Sequence, residues 1–476
     1  MVLTSEVLKY LSLLQTNTGS NGGVRGLTAM LAGLSQNVFP YINSTERTAG
    51  ISTRYRLLYI WNKNSSNEIA TNNRLVMEMP SQGGDRYAIA LGETGENQTE
   101  MLARTPAFVG PFQLQSTVSA GASSIAVTTE NADIVFINGG YVFISDGFMV
   151  SQTMDAGVLI GDSVEYGGGT WSTITAEEDV TYPKGKYLGG DTVKTFTTGT
   201  SHTDFLALPD NLYTDEDIGD GNGSSTAPAL TTLSNVTNYI VNWDGMLPVV
   251  TATCGGVART VNVAADGSCS GYCSAGQLDL LTGVWDTDIT FTTAPDNATD
   301  ITCTYREKCY TYSGNVATIA LDGTAPNAYA TVGITFGSGV LEQTQIIPTI
   351  DTPVATTAGD GTFDHSTYPI TPTNLGTEKD TFTITIGAAG AFTCAGTRLG
   401  SLAAGNVSTN YAPLNADTGV ALFSLDKDAW TDTWATNDTL VFDTEGSELP
   451  YWHRQDVPSS TAAVSENQTS IAHHFE

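Results

Sequence analysis

The sequence reads as a mainly β protein: several β-sandwich or meander domains preceded by a short N-terminal helical arm. Three observations lead there. Charged residues make up only 14% of the 476-residue chain while glycine reaches 49, the composition of turn-rich structure. Runs of alternating apolar and polar residues, the period of a half-buried strand, recur along the chain. The stretch 411–458 sets two such runs, Val420-Ala421-Leu422-Phe423 and Thr439-Leu440-Val441-Phe442, around Trp430 and Trp434, with Trp452 beyond Pro450. Indoles bury on the order of 150–250 Å² each, so Trp430, Trp434 and Trp452 are expected to organise a β core near the C-terminus.

Residues 1–36 form the expected helical arm. Ser5 is placed to cap it, and Val7, Leu8, Leu11 and Leu14 make one apolar stripe before the glycines of 19–26 interrupt. Residues 37–247 are the β-rich main body. A strand is expected over 54–61, with Tyr55, Leu57, Tyr59 and Trp61 on one parity, and a meander continues over 74–79 and 87–91. Asn138-Gly139-Gly140 supplies hairpin chemistry between 134–137 and 141–144. The acidic run 215–223 reads as a hydrated loop, and 243–248 as a boundary.

Residues 248–312 read as an inserted β-module in which Ile289 and Phe291 face Ile301, Cys303 and Tyr305. Five of the six cysteines, Cys254, Cys269, Cys273, Cys303 and Cys309, fall in it. No C-x-x-C pair or nearby histidine suggests zinc, so a disulfide framework is expected. Cys254 would bridge to Cys303 or Cys309, and Cys269 and Cys273 to each other or to a neighbour. Residues 313–460 resume the β-rich body, and 461–476 are expected to be an exposed tail.

The formal charge of −31 and pI near 4.2 argue against nucleic acid and anionic membranes as partners. No run of about 18 apolar residues suggests a membrane span. No secretory signal pattern is seen at the N-terminus. Catalytic chemistry is equally faint. Gly267-Ser268-Cys269-Ser270-Gly271 has the outline of a nucleophile elbow but a cysteine at its centre and no histidine to follow. Asp215, Asp217, Asp220 and Asn222 imitate part of a calcium loop, yet Gly219 takes a ligand position and no closing glutamate follows. The histidines lack metal-ligand spacing, and no phosphate-binding fingerprint occurs. The expectation is a non-enzyme with no catalytic residues, bound metal or cofactor.

Two stretches carry a resemblance. Residues 415–458 run from Asn415-Ala416-Asp417-Thr418-Gly419 through Ala429-Trp430-Thr431-Asp432-Thr433-Trp434 to Pro450, Trp452, Val457 and Pro458. Near the start stand Phe39-Pro40, Glu46-Arg47-Thr48-Ala49-Gly50 and Thr53-Arg54-Tyr55-Arg56. Together they resemble structural virion proteins of contractile-tailed bacteriophages, of the neck or collar-sheath type. Arg454 matches a basic residue usual after the tryptophan, and His453 departs from the pattern. The stretch 279–305 also resembles a hairpin of phage tail and baseplate modules.

The resemblance implies a protein made in the host bacterial cytoplasm and built into the virion. Its partners would be further copies of itself and other neck, tail or head proteins. Arg47, Arg54 and Arg56, close together where basic residues are scarce, are candidate intersubunit ion-pair donors. The alternative is a tail- or baseplate-associated host-binding protein, an adhesin or fibre attachment, in which Trp171, Trp243 and Trp285 would stack on sugars.

Overall fold

The computed structural model describes residues 51–79, 85–129, 133–145, 203–329, 336–358, 360–459 and 470–474, with 8–12, 23, 39, 44–49 and short strands between 149 and 201. The chain is mainly β, in multiple sheets, as its composition and alternation imply. The strands that matter below are β1 (Leu8–Ser12), β2 (Ile51–Asn62), β3 (Ala70–Met79), β4 (Arg86–Leu91), β5 (Tyr141–Ser145), β6 (Phe336–Ile346), β7 (Glu448–Val457) and β8 (Ser470–His474). Two short helices, α1 (Ser44–Ala49) and α2 (Gln98–Arg104), accompany them.

One antiparallel sheet runs β1-β2-β7-β4. β2 forms because its apolar residues have somewhere to go on both faces. Leu57 and Tyr59 pack with Trp452, Ala88, Ala90, Met101 and Phe108. Leu58 and Ile60 pack on the other side with Phe39, Leu75, Met77, Tyr87 and Ile89. A strand covered on both faces reads as a continuous apolar run, which is what 57–61 is. Of the residues expected on one parity, Tyr55, Leu57 and Tyr59 share the Trp452 cluster, while Trp61 donates its indole N–H to the Asn374 carbonyl.

A larger nine-stranded sheet is joined through β6. Its first half pairs with β5 (Gly337↔Ile144, Gly339↔Val142), and its second half pairs with β3, from Val340↔Val76 to Ile346↔Ala70. Gly337 is required by close packing, since a Cβ there would lie 2.1 Å from the Phe112 ring. Helix α2 starts in a capping box: Asn97 accepts from the Thr99 and Glu100 amides, and Glu100 accepts from the Asn97 amide.

Two further cores stand apart. One gathers Val250, Ala252, Val261, Ile289, Phe291, Ile301, Cys303 and Tyr305, and also takes Ile218, Leu233 and Ile240 from before residue 248. Ile289 and Phe291 face Ile301, Cys303 and Tyr305, but as members of two sheets: Trp285–Phe291 pairs with Cys273–Leu278, while Asp300–Arg306 pairs with Val249–Cys254 and Leu212–Asp220. The last of these is the acidic run expected as a loop. It is a bulged strand instead, because Tyr305 and the amide of Ser234 donate to Glu216 and hold its side chain in place. The other core, around Phe382, Phe423, Phe442 and Leu440, is built on the strand Asp380–Ile386 between Thr439–Glu445 and Ala391–Gly396.

Four further expectations need correcting. No hairpin forms about Asn138-Gly139-Gly140: residues 134–137 are not a strand, and β5 pairs instead with Thr203–Ala207 and β6. Residues 8–12, read as helix, form β1 along β2, with Tyr10 opposite Ile60. Without it, the outer edge of β2 would carry unpaired main-chain groups, and that tertiary demand outweighs the helical spacing. The rest of the 1–36 arm, apart from Gly23, lies outside the described residues. Residues 470–474, expected in an exposed tail, form β8 on β3. Nor do the three C-terminal indoles share a core: Trp430 and Trp434 sit half-buried at the margin of the Phe382 cluster, whereas Trp452 is wholly buried in the body sheet.

Candidate functional site

The two stretches that carry the phage resemblance meet in space. β2 and β7 pair with Tyr55 opposite Arg454, Arg56 opposite His453 and Leu57 opposite Trp452. Trp452 is 0% exposed; its ring lies edge-on to Tyr55 at 6.5 Å, and its indole N–H donates to Glu96 Oε2 at 2.7 Å. Glu96 in turn accepts from Arg104 Nε at 2.9 Å and from the Glu93 amide at 3.1 Å. Burial pushes the Glu96 carboxyl up, but hydrogen bonds from Arg104, Trp452 and the Glu93 amide outweigh it and hold it below the usual range. Arg104 extends the network to Asp244 at 2.9 Å and to the Leu91 carbonyl at 3.0 Å. These hydrogen bonds tie the end of α2 and the 93–96 turn to β7.

Behind Trp452, His453 points to the other face between the rings of Phe39 (5.3 Å) and Tyr87 (5.0 Å). It is 2% exposed and neither ring nitrogen has a hydrogen-bond partner. Burial therefore pushes its pKa down to about 3, against a smaller opposing pull from Asp85. A buried neutral imidazole with no partner is not poised for acid–base work near neutral pH. Arg454, on the Trp452 face, lies 4.9 Å over Phe108 and pairs with Asp133 at 2.9 Å.

Of the three arginines read as ion-pair donors, Arg54 and Arg56 sit half-buried on β2, opposite Gln455 and His453. Burial lowers the Arg56 pKa, with Arg54 nearby adding to the effect. Arg47 belongs to α1, and its side chain lies outside the described residues.

The six cysteines are free thiols, so none of the bridges expected within the chain is formed. Geometry explains the first of them. Cys303 lies opposite Val250, four residues along the strand from Cys254. That is about 13 Å, far beyond the ~4.4–6.8 Å Cα separation of a disulfide. Cys309 packs in a different core, against Phe136 and Tyr310, and cannot reach Cys254. Cys269 and Cys273 are half-buried on the strands Cys269–Gly271 and Cys273–Leu278; burial pushes the Cys269 thiol up to about 12 and raises that of Cys273. A thiol reagent at pH 8 is therefore expected to modify these two slowly in the folded chain and all six after unfolding, with no change in gel mobility on reduction. Fast labelling of a single thiol, or a mobility shift, would contradict this.

Two adjoining cavities, of about 480 and 500 Å³, lie between the 92–95 loop and the Phe382 domain. They share Thr94, Lys379 and Glu445, and the Lys379–Glu445 ion pair at 2.8 Å runs between them. Asp380, in the lining of the first cavity, accepts from the amides of Thr381, Arg398 and Leu399, each at 2.9 Å, and Glu378 nearby pairs with Arg398. Among the described residues no group of three or more His, Cys, Asp or Glu is placed to hold a metal ion. Two of the indoles considered for sugar stacking, Trp243 and Trp285, are buried at 3% and 8% exposure and present no face to a ligand. The side chain of Trp171 lies outside the described residues.

Sequence reasoning missed the Glu96–Arg104–Trp452 network and the β3–β8 pairing. The Asn97–Glu100 capping signature marks the helix that aims Arg104, but nothing local marks its partners. No family model, curated protein or solved structure matches the chain.

Proposed function

We propose that the chain is a structural virion protein of a contractile-tailed phage, repeated as a collar or neck sheath around the head–tail junction, and that it works through surfaces rather than catalysis. One observation supports this reading most. The N- and C-terminal stretches that resemble such proteins, far apart in sequence, are adjacent strands of one sheet, and their matching residues Tyr55, Trp452 and Arg454 pack together there. Only the ends of the two stretches meet in this sheet; the run 429–434, with Trp430 and Trp434, belongs to the Phe382 core. Among the described residues two further β cores lie beyond that sheet, an arrangement suited to presenting faces to neighbours. The acid surplus implied by a charge of −31 suits contact with basic shell components.

Electron microscopy of particles labelled with an antibody to this chain tests the reading. Density repeated around the head–tail junction is expected. Label at fibre tips, at the baseplate or nowhere on the particle would overturn it.

A further inference from the structure

β8 is attached to the rest of the protein in an unusual way. It hydrogen-bonds with β3 and with no other strand among the described residues. The groove it fills is nonetheless well built. Leu75, Val76 and Met77, the β3 residues opposite His473, Ala472 and Ile471, are all 0% exposed. Ile471 packs into the cluster that holds Leu75 and Met77, and Ala472 into the one formed by Val76, Phe143 and Val340. One polar contact fixes the register: His473 Nε2 lies 3.0 Å from Oδ1 of the buried Asn73, whose amide donates to the Ala70 carbonyl at 2.9 Å. The strand thus lies between two apolar surfaces, aligned by main-chain bonds and a side-chain key, which is the mode of a strand added to a sheet edge.

Residues 458–469 connect β7 to β8. Twelve residues span up to about 40 Å, which sets the reach over which the strand can be carried from β7. Moving the strand to a neighbour keeps each contact it makes at home, so exchange costs only the entropy of association. We propose that β8 is an exchange strand: in the assembled state the groove beside β3 receives Ser470–His474 of a second copy. Each copy gives one strand and accepts one, a head-to-tail relation that closes into a ring or extends along a sheath. This rests on the reading of the chain as a self-assembling shell protein.

Mixing two chains, one carrying Leu75→Cys and the other His473→Cys, tests the exchange under mild oxidation. A cross-linked pair absent from the unsubstituted chain is expected, since docking within one chain cannot join the two cysteines. Ala472→Glu, which sets a carboxylate against Val76 and Phe143, is expected to shift the light-scattering mass of the full chain from multimer toward monomer. No cross-linked pair, with the Ala472→Glu chain as multimeric as its parent, overturns the exchange and leaves self-assembly standing. An unsubstituted chain that stays monomeric across the concentration range overturns both.

Discussion

Trp452→Ala is expected to be among the most damaging single changes in the body, lowering stability by about 4–6 kcal/mol. The indole is fully buried among Leu57, Tyr59, Ala88, Ala90 and Phe108, so truncation opens a cavity that β2 and β4 cannot close without losing their register. Such a cavity costs about 3–5 kcal/mol for a large aromatic. The same change removes the donor that Glu96 holds at 2.7 Å, and a buried carboxylate deprived of a partner adds about 1 kcal/mol or more. Trp452→Phe separates the two terms. It keeps much of the ring volume, loses only the N–H, and is expected to cost about 1–3 kcal/mol. Urea unfolding midpoints of the three proteins provide the measurement. Equal losses for the alanine and phenylalanine variants would mean that packing around the indole contributes little.

The second large effect is on acid stability. His453 has an ordinary pKa of about 6.5 when unfolded and about 3 when folded, because its burial disfavours the charged ring. Between those values the unfolded chain binds a proton that the folded chain refuses. Stability is therefore unaffected above about pH 6.5 and falls as pH drops through the window toward 3, by about 1.4 kcal/mol per pH unit. The groups near His453 do not reverse this: Asp85 pulls the other way but is outweighed, and Arg56, opposite in register, is cationic. Burial also lowers His473 to about 4, which adds to the loss in the same direction. Glu96, whose carboxyl is held low, adds its own loss only at more acid pH, below its unfolded value.

His453→Phe replaces the ring by one that needs no proton and suits the aromatic contacts with Phe39 and Tyr87. Between pH 6.5 and 5 the parent is expected to lose about 2 kcal/mol more than this variant. Parallel stability curves for the two proteins would show that His453 is protonated in the folded state.

How much of this was readable in the residues depended on whether the deciding contact was local. The strand at 54–61 announced itself because β2 is long and its aromatic residues share a parity. The facing of Ile289 and Phe291 with Ile301, Cys303 and Tyr305 was equally readable, since alternation specifies which side is buried; which strands hydrogen-bond it does not specify, and a hairpin was expected where two sheets pack face to face. Residues 8–12 failed for the opposite reason. Their stripe satisfies a helix, and only the bare edge of β2 makes a strand of them. The tail failed likewise, because five residues with little apolar content gain their burial from β3, some 400 positions away. The cysteines clustered in sequence, but strand register sets Cys254 four residues along from the position opposite Cys303 and puts Cys309 in another core, so the bridges expected of Cys254 have no geometry to form.

The pairing of β2 with β7 sets the schedule on which the molecule can mature. Thr53 and Asp456, bonded across it, are separated by 403 positions. At about 5–20 residues per second, a ribosome that has delivered β2 needs roughly 20–80 s to deliver its partner. Through that interval the apolar faces of β2 stay incomplete while the intervening β domains, whose contacts are nearer in sequence, are free to form. Closure of β2 on β7, followed by docking of β8 on β3, thus comes late in biosynthesis, and until then a chaperone has its greatest opportunity to hold the nascent chain and crowding its greatest opportunity to spoil it.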